Sequence, residues 1–401
     1  MSTLKVDNIR HNSATSDTIT MASDGTCTAR ITSVGGGQLS HRNKIYNGAM
    51  MLSQRGTTFD VNTSSDYTLD RFQVVDSGGI TYDATVTQDS SAPDGFRKSL
   101  KISPDTVETS MSDSENAMIM TKLEGQDLQD FAFGTNSAKK LTISFYAKSG
   151  STNNGHQYTL QIRKYDDSNN RNMVNRAFIV TSSWKRYTMT FGGDTAENIR
   201  NDNGLGMQIV WHLATGPNDI HGASTAFGRT VNNSLYSGVT GQSNFLDNTS
   251  NEFYLTGCQL EVGENATEFE HRPYTEELTL CERYYEVHWQ NHNPNNPAGA
   301  HGDGYNAISA GGVAGTKVYF PFKYRTQKRA NPTLEYSGKF RISGGSGGNS
   351  SNVEPDEFYS PSIDGGRLRF PQSGGSNGDG MWLEFDGGNS TNGYIAIVAE
   401  L

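Results

Sequence analysis

Apolar residues at every second position are the feature that most limits what this chain can fold into. In Leu141-Thr-Ile143-Ser-Phe145-Tyr-Ala147 the apolar set alternates with its neighbours. The same holds for Tyr158-Thr-Leu160-Gln-Ile162, Tyr187-Thr-Met189-Thr-Phe191 and Met207-Gln-Ile209-Val-Trp211-His-Leu213. Period two marks strands buried on one face. Polar turns such as Asp166-Asp-Ser-Asn-Asn170 separate these runs, and no long amphipathic helix alternates with them. That excludes a βαβ plan. A chain with only 34% hydrophobic residues and 44 Gly also favours short strands joined by polar turns. The predicted class is all-β: an N-terminal extended thread, a central jelly-roll sandwich, a short connecting helix and a C-terminal β-sandwich module.

The pieces divide as follows. Residues 1–44 scatter Leu4, Val6, Ile9, Ile19, Met21, Ile31 and Val34 among polar residues. This is too little apolar surface to offset the entropy of ordering the segment alone. It is therefore disordered or folds against other chains, with Gly35-Gly36-Gly37 as a hinge. Residues 45–272 carry the sandwich, with one short helix near Asp127–Phe131. Phe253–Val262 is apolar at both parities, as in a strand buried on both faces or bulged at Gly257. Residues 273–286 form the connector helix, with Thr275 as N-cap, Glu276 and Glu277 in the first turn, and Leu278, Cys281 and Tyr285 as one stripe. Residues 287–401 form the second β module. There Pro321 marks an edge or bulged strand, and Tyr394–Val398 reads as buried in a sheet or against a neighbouring subunit.

Several functions are excluded or disfavoured. A net charge of −10 with no basic run argues against a nucleic-acid partner. No stretch approaches the roughly 18 apolar residues of a membrane span, so no membrane insertion is expected. The first ten residues have no apolar signal-peptide core, so synthesis in a cytoplasm is expected. Cys27, Cys258 and Cys281 are odd in number and far apart, and read as reduced structural thiols. No Gly-x-Ser-x-Gly elbow, zinc-protease pair or phosphate loop is present, and the chain is read as a non-enzyme. A carboxylate pair at glycosidase spacing is the one catalytic arrangement the sequence leaves open.

Four residues are candidate carbohydrate contacts. Trp289 stands among Gln290, Asn291, His292, Asn293 and Pro294, where no apolar stripe claims it. Tyr305 lies in His301-Gly-Asp303-Gly-Tyr305. Sugars need apolar faces for stacking and polar groups for hydroxyls, which Trp289 and Tyr305, with His292 and Asp303, would supply. The competing role for Trp289 is packing or a subunit contact. Trp184, Trp211 and Trp382 are read as core residues. His288 and His292 are four apart, but Pro294 and the Asn run oppose a zinc-binding helix, so no metal site is assigned. Asp166, Ser168 and Asn170 alternate oxygens yet lack the Gly and Glu of a calcium loop. No cofactor is expected, with structural calcium left open.

A series of phrases carries a resemblance. They are Asn47-Gly-Ala-Met50, Ser53-Gln-Arg-Gly56, Tyr67-Thr-Leu-Asp-Arg-Phe72, Leu123-Glu-Gly-Gln126, Leu141–Lys148, Trp184-Lys-Arg-Tyr187, Gly257-Cys-Gln-Leu-Glu-Val-Gly263, Phe269-Glu-His-Arg272 and Cys281-Glu-Arg-Tyr-Tyr285. In this order they resemble tail fibre and related appendage proteins of tailed bacteriophages, particularly marine ones, whose central region looks like a carbohydrate-binding-module jelly roll. The opening Ser2–Ile9 is similar to the virion-attachment start of such fibres, and Phe320 to Leu401 is similar to their terminal β module. The resemblance implies a homotrimer in the virion, joined to other tail proteins through residues 1–44. It implies adsorption to a host surface polysaccharide or lipopolysaccharide, with residues 287–401 as the receptor-binding tip. The alternative is a structural virion component, a capsid fibre, decoration or tail adaptor, that binds other virion proteins.

Overall fold

The computed structural model describes residues 6–10, 19–21, 23, 27–29, 40–62, 65–79, 83–229, 237–290, 311–314, 316–344, 350–371, 381–385 and 393–401. The protein is all-β, and its centre is a two-sheet antiparallel sandwich. One sheet has six strands in the order Lys185–Phe191, Leu141–Ser149, Phe253–Val262, Ser99–Pro104, Ala84–Asp89, Thr58–Val61. The other has seven, in the order Ser224–Arg229, Arg171–Ile179, Gln157–Tyr165, Leu205–Thr215, Asn116–Glu124, Phe72–Ser77, Ser65–Tyr67.

Alternation builds the core between the sheets. Ile143 and Phe145 of one sheet face Leu160, Ile162 and Trp211 of the other, all fully buried. Phe145 meets Trp211 edge-on at 5.7 Å and stacks on Tyr187 at 5.4 Å. Trp211 is thus a core residue, as the alternation predicts. Trp184 is not. It precedes the strand Lys185–Phe191 and lies half-buried, edge-on to Tyr254 with Lys148 over its ring. It stands on the parity opposite to the buried Tyr187, Met189 and Phe191, so it lies away from the core.

Phe253–Val262 is buried at every position, between Leu141–Ser149 and Ser99–Pro104. Its register against Leu141–Ser149 shifts opposite Gly257, where φ is +63°, so the predicted bulge is present. The bulge turns Cys258 toward Gly48, whose carbonyl accepts from the Cys258 N–H at 2.9 Å. A Cβ on Gly48 would lie 2.1 Å from the Cys258 oxygen, so only glycine fits. Asn43 and Lys44 already belong to the sandwich, bonded to Cys258 and Leu260.

A 3₁₀ turn covers Gly125–Phe131, as expected near Asp127. The connector helix is Tyr274–Glu282, shorter than expected. Thr275 is not its N-cap. Pro273 holds that position with no side-chain cap, its φ of −54° already fixed by the ring. Tyr285 is not on the helix either, because it opens the strand Tyr285–Gln290.

Three small sheets make the C-terminal module. Tyr394–Val398 is central in one, between Tyr285–Gln290 and Thr333–Ser337. Its Ile395 and Ile397 enter a core with Val318, Phe320, Phe340, Leu368 and Phe370. Pro321 sits in Lys317–Lys323 beyond Tyr319, the last residue paired with Gly311–Ala314, so its missing N–H leaves no ladder bond broken on that edge. The described part of the N-terminal segment is a small sheet of Asn8–Ile9, Ile19–Met21 and Cys27–Ala29. Ile9 and Met21 are exposed on it.

Candidate functional site

The residues singled out as sugar contacts are only partly placed. Trp289 pairs with Ile395 in the strand Tyr285–Gln290. His292, Asp303 and Tyr305 lie outside the described residues, as do the side chains of Trp289 and Trp382.

The polar faces of the sandwich strands hold a constellation that sequence reading missed. On the seven-stranded sheet, core residues occupy one parity, and the other parity faces away from the partner sheet. Register places those outer residues in cross-strand rows. Lys122, Gln208, Arg163 and Met173 form one row. Gln73, Met120, Val210, Gln161 and Asn175 form the next, and Val75, Met118, His212, Thr159 and Ala177 the third.

This outer face is unusual in being polar and buried together. Gln161, Val210 and His212 are fully buried, while Arg163 and Gln208 keep only 5% and 8% exposure. Two rims flank it. On one side the segment around Gly238–Val239 bonds down, with Val239 N–H donating to Thr159 and Gln242 accepting from Thr159 while donating to the His212 carbonyl. On the other, Tyr67 and Lys122 both donate to the Leu401 main-chain oxygen.

The floor is rich in donors. Tyr165 OH donates to Gln208 Oε1 at 3.0 Å, while Gln208 Nε2 points at Met120 Sδ, 3.8 Å away. Gln161 Nε2 donates to Met173 Sδ at 3.3 Å. Arg163 Nε donates to Gln161 Oε1 at 2.5 Å, and its Nη2 lies 3.3 Å from His212 Nε2 and 3.9 Å from Met118 Sδ. Thioethers are weak acceptors, so the Gln208 amide facing Met120 and the Arg163 Nη2 facing Met118 are poorly served there. Burial, reinforced by Arg163, pushes His212 well below the usual histidine range, and the ring is neutral.

A second surface lies over the six-stranded sheet. A pocket of about 230 Å³ is lined by Met51, Phe96, Arg97, Phe269, His271 and Tyr274, among others. Its rings pack mainly on one another: Phe96 meets Phe269 edge-on at 5.0 Å and Tyr146 at 5.4 Å. That packing pins the segment after Gly263 to the sheet.

Among the described residues no group of three or more His, Cys, Asp or Glu is arranged to hold a metal. The Asp166 carboxylate serves its own turn, accepting from the N–H groups of Ser168 and Asn170. Cys258 and Cys281 are buried free thiols, and burial raises both far above the usual range. No described helix is long and apolar enough to cross a membrane.

No protein-family profile matches the sequence, and no curated protein matches it. Among solved structures, the enzymatically active domain of tailspike protein 4 of bacteriophage CBA120 aligns with 55% of this chain and 21% of its own, at 11% identity and a TM-score of 0.30. The CBM22-1 xylan-binding domain from Paenibacillus barcinonensis Xyn10C aligns with 58% of this chain and 100% of its own, at 11% identity and a TM-score of 0.29. The family 11 carbohydrate-binding module of the Clostridium thermocellum cellulase Lic26A-Cel5E aligns with 54% and 100%, at 12% identity and a TM-score of 0.28. At scores this low, the sandwich is assigned from its own strands and sheet order.

Proposed function

We propose that the protein is a non-enzymatic subunit of a virion appendage, of the tail-fibre kind, and that it binds a host cell-surface glycan on the outer face of its seven-stranded sheet. One observation carries the glycan reading: amide, guanidinium, imidazole and phenol groups stand between methionines in cross-strand rows on that sheet. Sugars present hydroxyls that need fixed donors and acceptors, and C–H faces that need soft apolar contact. A sheet holds both in register better than a loop does.

The virion part of the reading rests on the ordered phrases given above. It includes a homotrimer joined to other tail proteins through residues 1–44, where exposed Ile9 and Met21 call for a protein partner. It places synthesis in a host cytoplasm and action on the particle, with no cofactor required for binding. Trp289, His292, Asp303 and Tyr305 are retained as a second sugar contact on the C-terminal module. Exposed Ile9 and Met21 equally suit a structural virion protein with no glycan ligand, which is the competing reading.

The test applies the full-length chain to an array of bacterial surface polysaccharides, alongside the Tyr165→Ala/Gln208→Ala double variant. The proposal expects retention of at least one polysaccharide, and its loss in a variant that unfolds at the same temperature. Failure to retain any glycan, with immunogold label on capsids rather than tails, would put the structural reading in its place.

A further inference from the structure

Arg163 is a buried cation whose partners among the described residues are all neutral. Its side chain is 5% exposed. Its contacts are the Gln161 amide oxygen, the His212 ring and the Met118 sulfur, and Nη1 has no acceptor among the described residues. Tyr165 and Asp219 favour its charge only weakly and Arg171 opposes it, and the Asp219 carboxylate instead accepts from Asn116 Nδ2 at 3.0 Å. The imidazole cannot complete this network. His212 Nε2 lies 3.3 Å from Arg163 Nη2 and 3.2 Å from Gln161 Oε1, and one tautomer serves only one of them. His212 Nδ1 is buried without a partner in either case.

Buried charges are ordinarily paired, because an uncompensated one is destabilising. Burial lowers the Arg163 pKa to about 10, so the side chain still carries its charge at neutral pH. A positive site with unused donors is therefore maintained on a chain whose net charge is −10. A guanidinium edge is matched by a carboxylate, which accepts two parallel N–H bonds.

We propose that the glycan held on this face is acidic, and that Arg163 receives the carboxylate of a uronic acid residue through its Nη1 and Nη2 groups. This rests on the glycan-binding reading and adds the chemical class of the ligand. The Gln208 amide then contacts a hydroxyl of the same or the adjoining sugar, while the neutral His212 holds its place beneath Arg163. The carboxylate also displaces the weak Met118 contact, so the donor gains a stronger acceptor.

The experiment uses the full-length chain and an array in which each uronate-bearing oligosaccharide is paired with its carboxyl-methylated form, with sulfated neutral-sugar analogues as a third arm. The chain should bind acid forms about ten-fold more tightly than their esters. Arg163→Gln should bring acid and ester within about two-fold of each other, and Arg163→Lys should lie between. The acid-against-ester comparison on the wild-type chain needs no variant and so stands if Arg163→Gln fails to fold. Equal affinity for acid and ester would overturn the proposal while leaving glycan binding intact. Preference for the sulfated arm alone would replace the carboxylate by a sulfate ester and overturn the uronate assignment. Retention of no glycan at all would overturn the glycan reading beneath it.

Discussion

Two buried arginines, Arg71 just before the strand Phe72–Ser77 and Arg163 within Gln157–Tyr165, belong to the same seven-stranded sheet and are treated in opposite ways. Arg71 lies in the seam between the sandwich and the C-terminal module. It is bonded to the Glu400 carboxylate and the Lys122 carbonyl, and its guanidinium lies 3.4 Å over the Tyr284 ring. Arg163 is similarly buried and, among the described residues, has only neutral contacts. Burial lowers both pKa values, but at Arg71 the Glu400 charge more than reverses it, and at Arg163 nothing does. A satisfied buried charge is part of a structure, whereas an unsatisfied one points to something that arrives later.

The seam shows how thorough the first treatment is. Arg55 lies 3.5 Å over Tyr285 and pairs with Glu400 at 3.1 Å. Arg283 grips the Glu124 carboxylate with two bonds of 2.7 and 2.8 Å. Gln54 donates to Asp70 and to the Tyr285 carbonyl, tying three stretches of chain together. Arg329 donates to the carbonyls of Ala399 and Glu400.

Breaking the seam should have the largest effect. Glu400→Ala leaves Arg71 buried and unpaired, and should destabilise the protein by about 3–5 kcal/mol, read by chemical denaturation. The C-terminal module should become the protease-sensitive part, since its docking is lost first. Acid should act on the same side of the comparison. Burial alone would raise Glu286, but the His288 and Lys328 contacts and the Arg325 N–H overcome it and hold the group at about 2. Its folded value lies below its ordinary 4.5. Its contribution is therefore complete above about pH 4.5 and lost as pH falls toward 2, on the order of 3 kcal/mol in all. Glu286→Gln should flatten that part of a stability-versus-pH curve. Gly257→Ala is smaller. It forces a side chain to φ +63° with a Cβ 2.8 Å from Phe96, and should destabilise by about 1–3 kcal/mol in the same denaturation assay.

Arg163 should show the smallest effect, of opposite sign to the seam. Arg163→Met exchanges an unpaired buried charge for an apolar chain of similar reach, and should leave stability unchanged or raise it by roughly 1 kcal/mol. Loss of several kcal/mol would mean that Arg163 is structural after all, and would remove the contrast with Arg71.

Much of the fold was legible because strands announce themselves by period, and Trp211 and the Gly257 bulge follow from that pattern. The resemblance phrases were legible too, but several are structural. Asn47, Gln54, Asp70, Glu124 and Cys281-Glu-Arg-Tyr-Tyr285 lie along the seam. Thr275 and Trp184 misled because caps and core faces depend on where an element begins, and a residue or two decides that. The outer face of the sheet was not legible. Gln161, Arg163, Gln208 and His212 occupy the polar parity of ordinary-looking strands. Nothing local distinguishes a solvated polar parity from a buried one. The difference arises from strand order, which brings residues 118, 163 and 212 together from three separate strands.

The most direct measurement is oxidative footprinting of methionines in the full-length chain, with and without the polysaccharide it retains. Met118, Met120 and Met173 line the proposed face, whereas Met51 is 41% exposed in the pocket over the other sheet. The account predicts that the glycan slows oxidation of Met118, Met120 and Met173 and leaves Met51 unchanged. Protection of Met51 alone, or of none of the four while the glycan is bound, would contradict it.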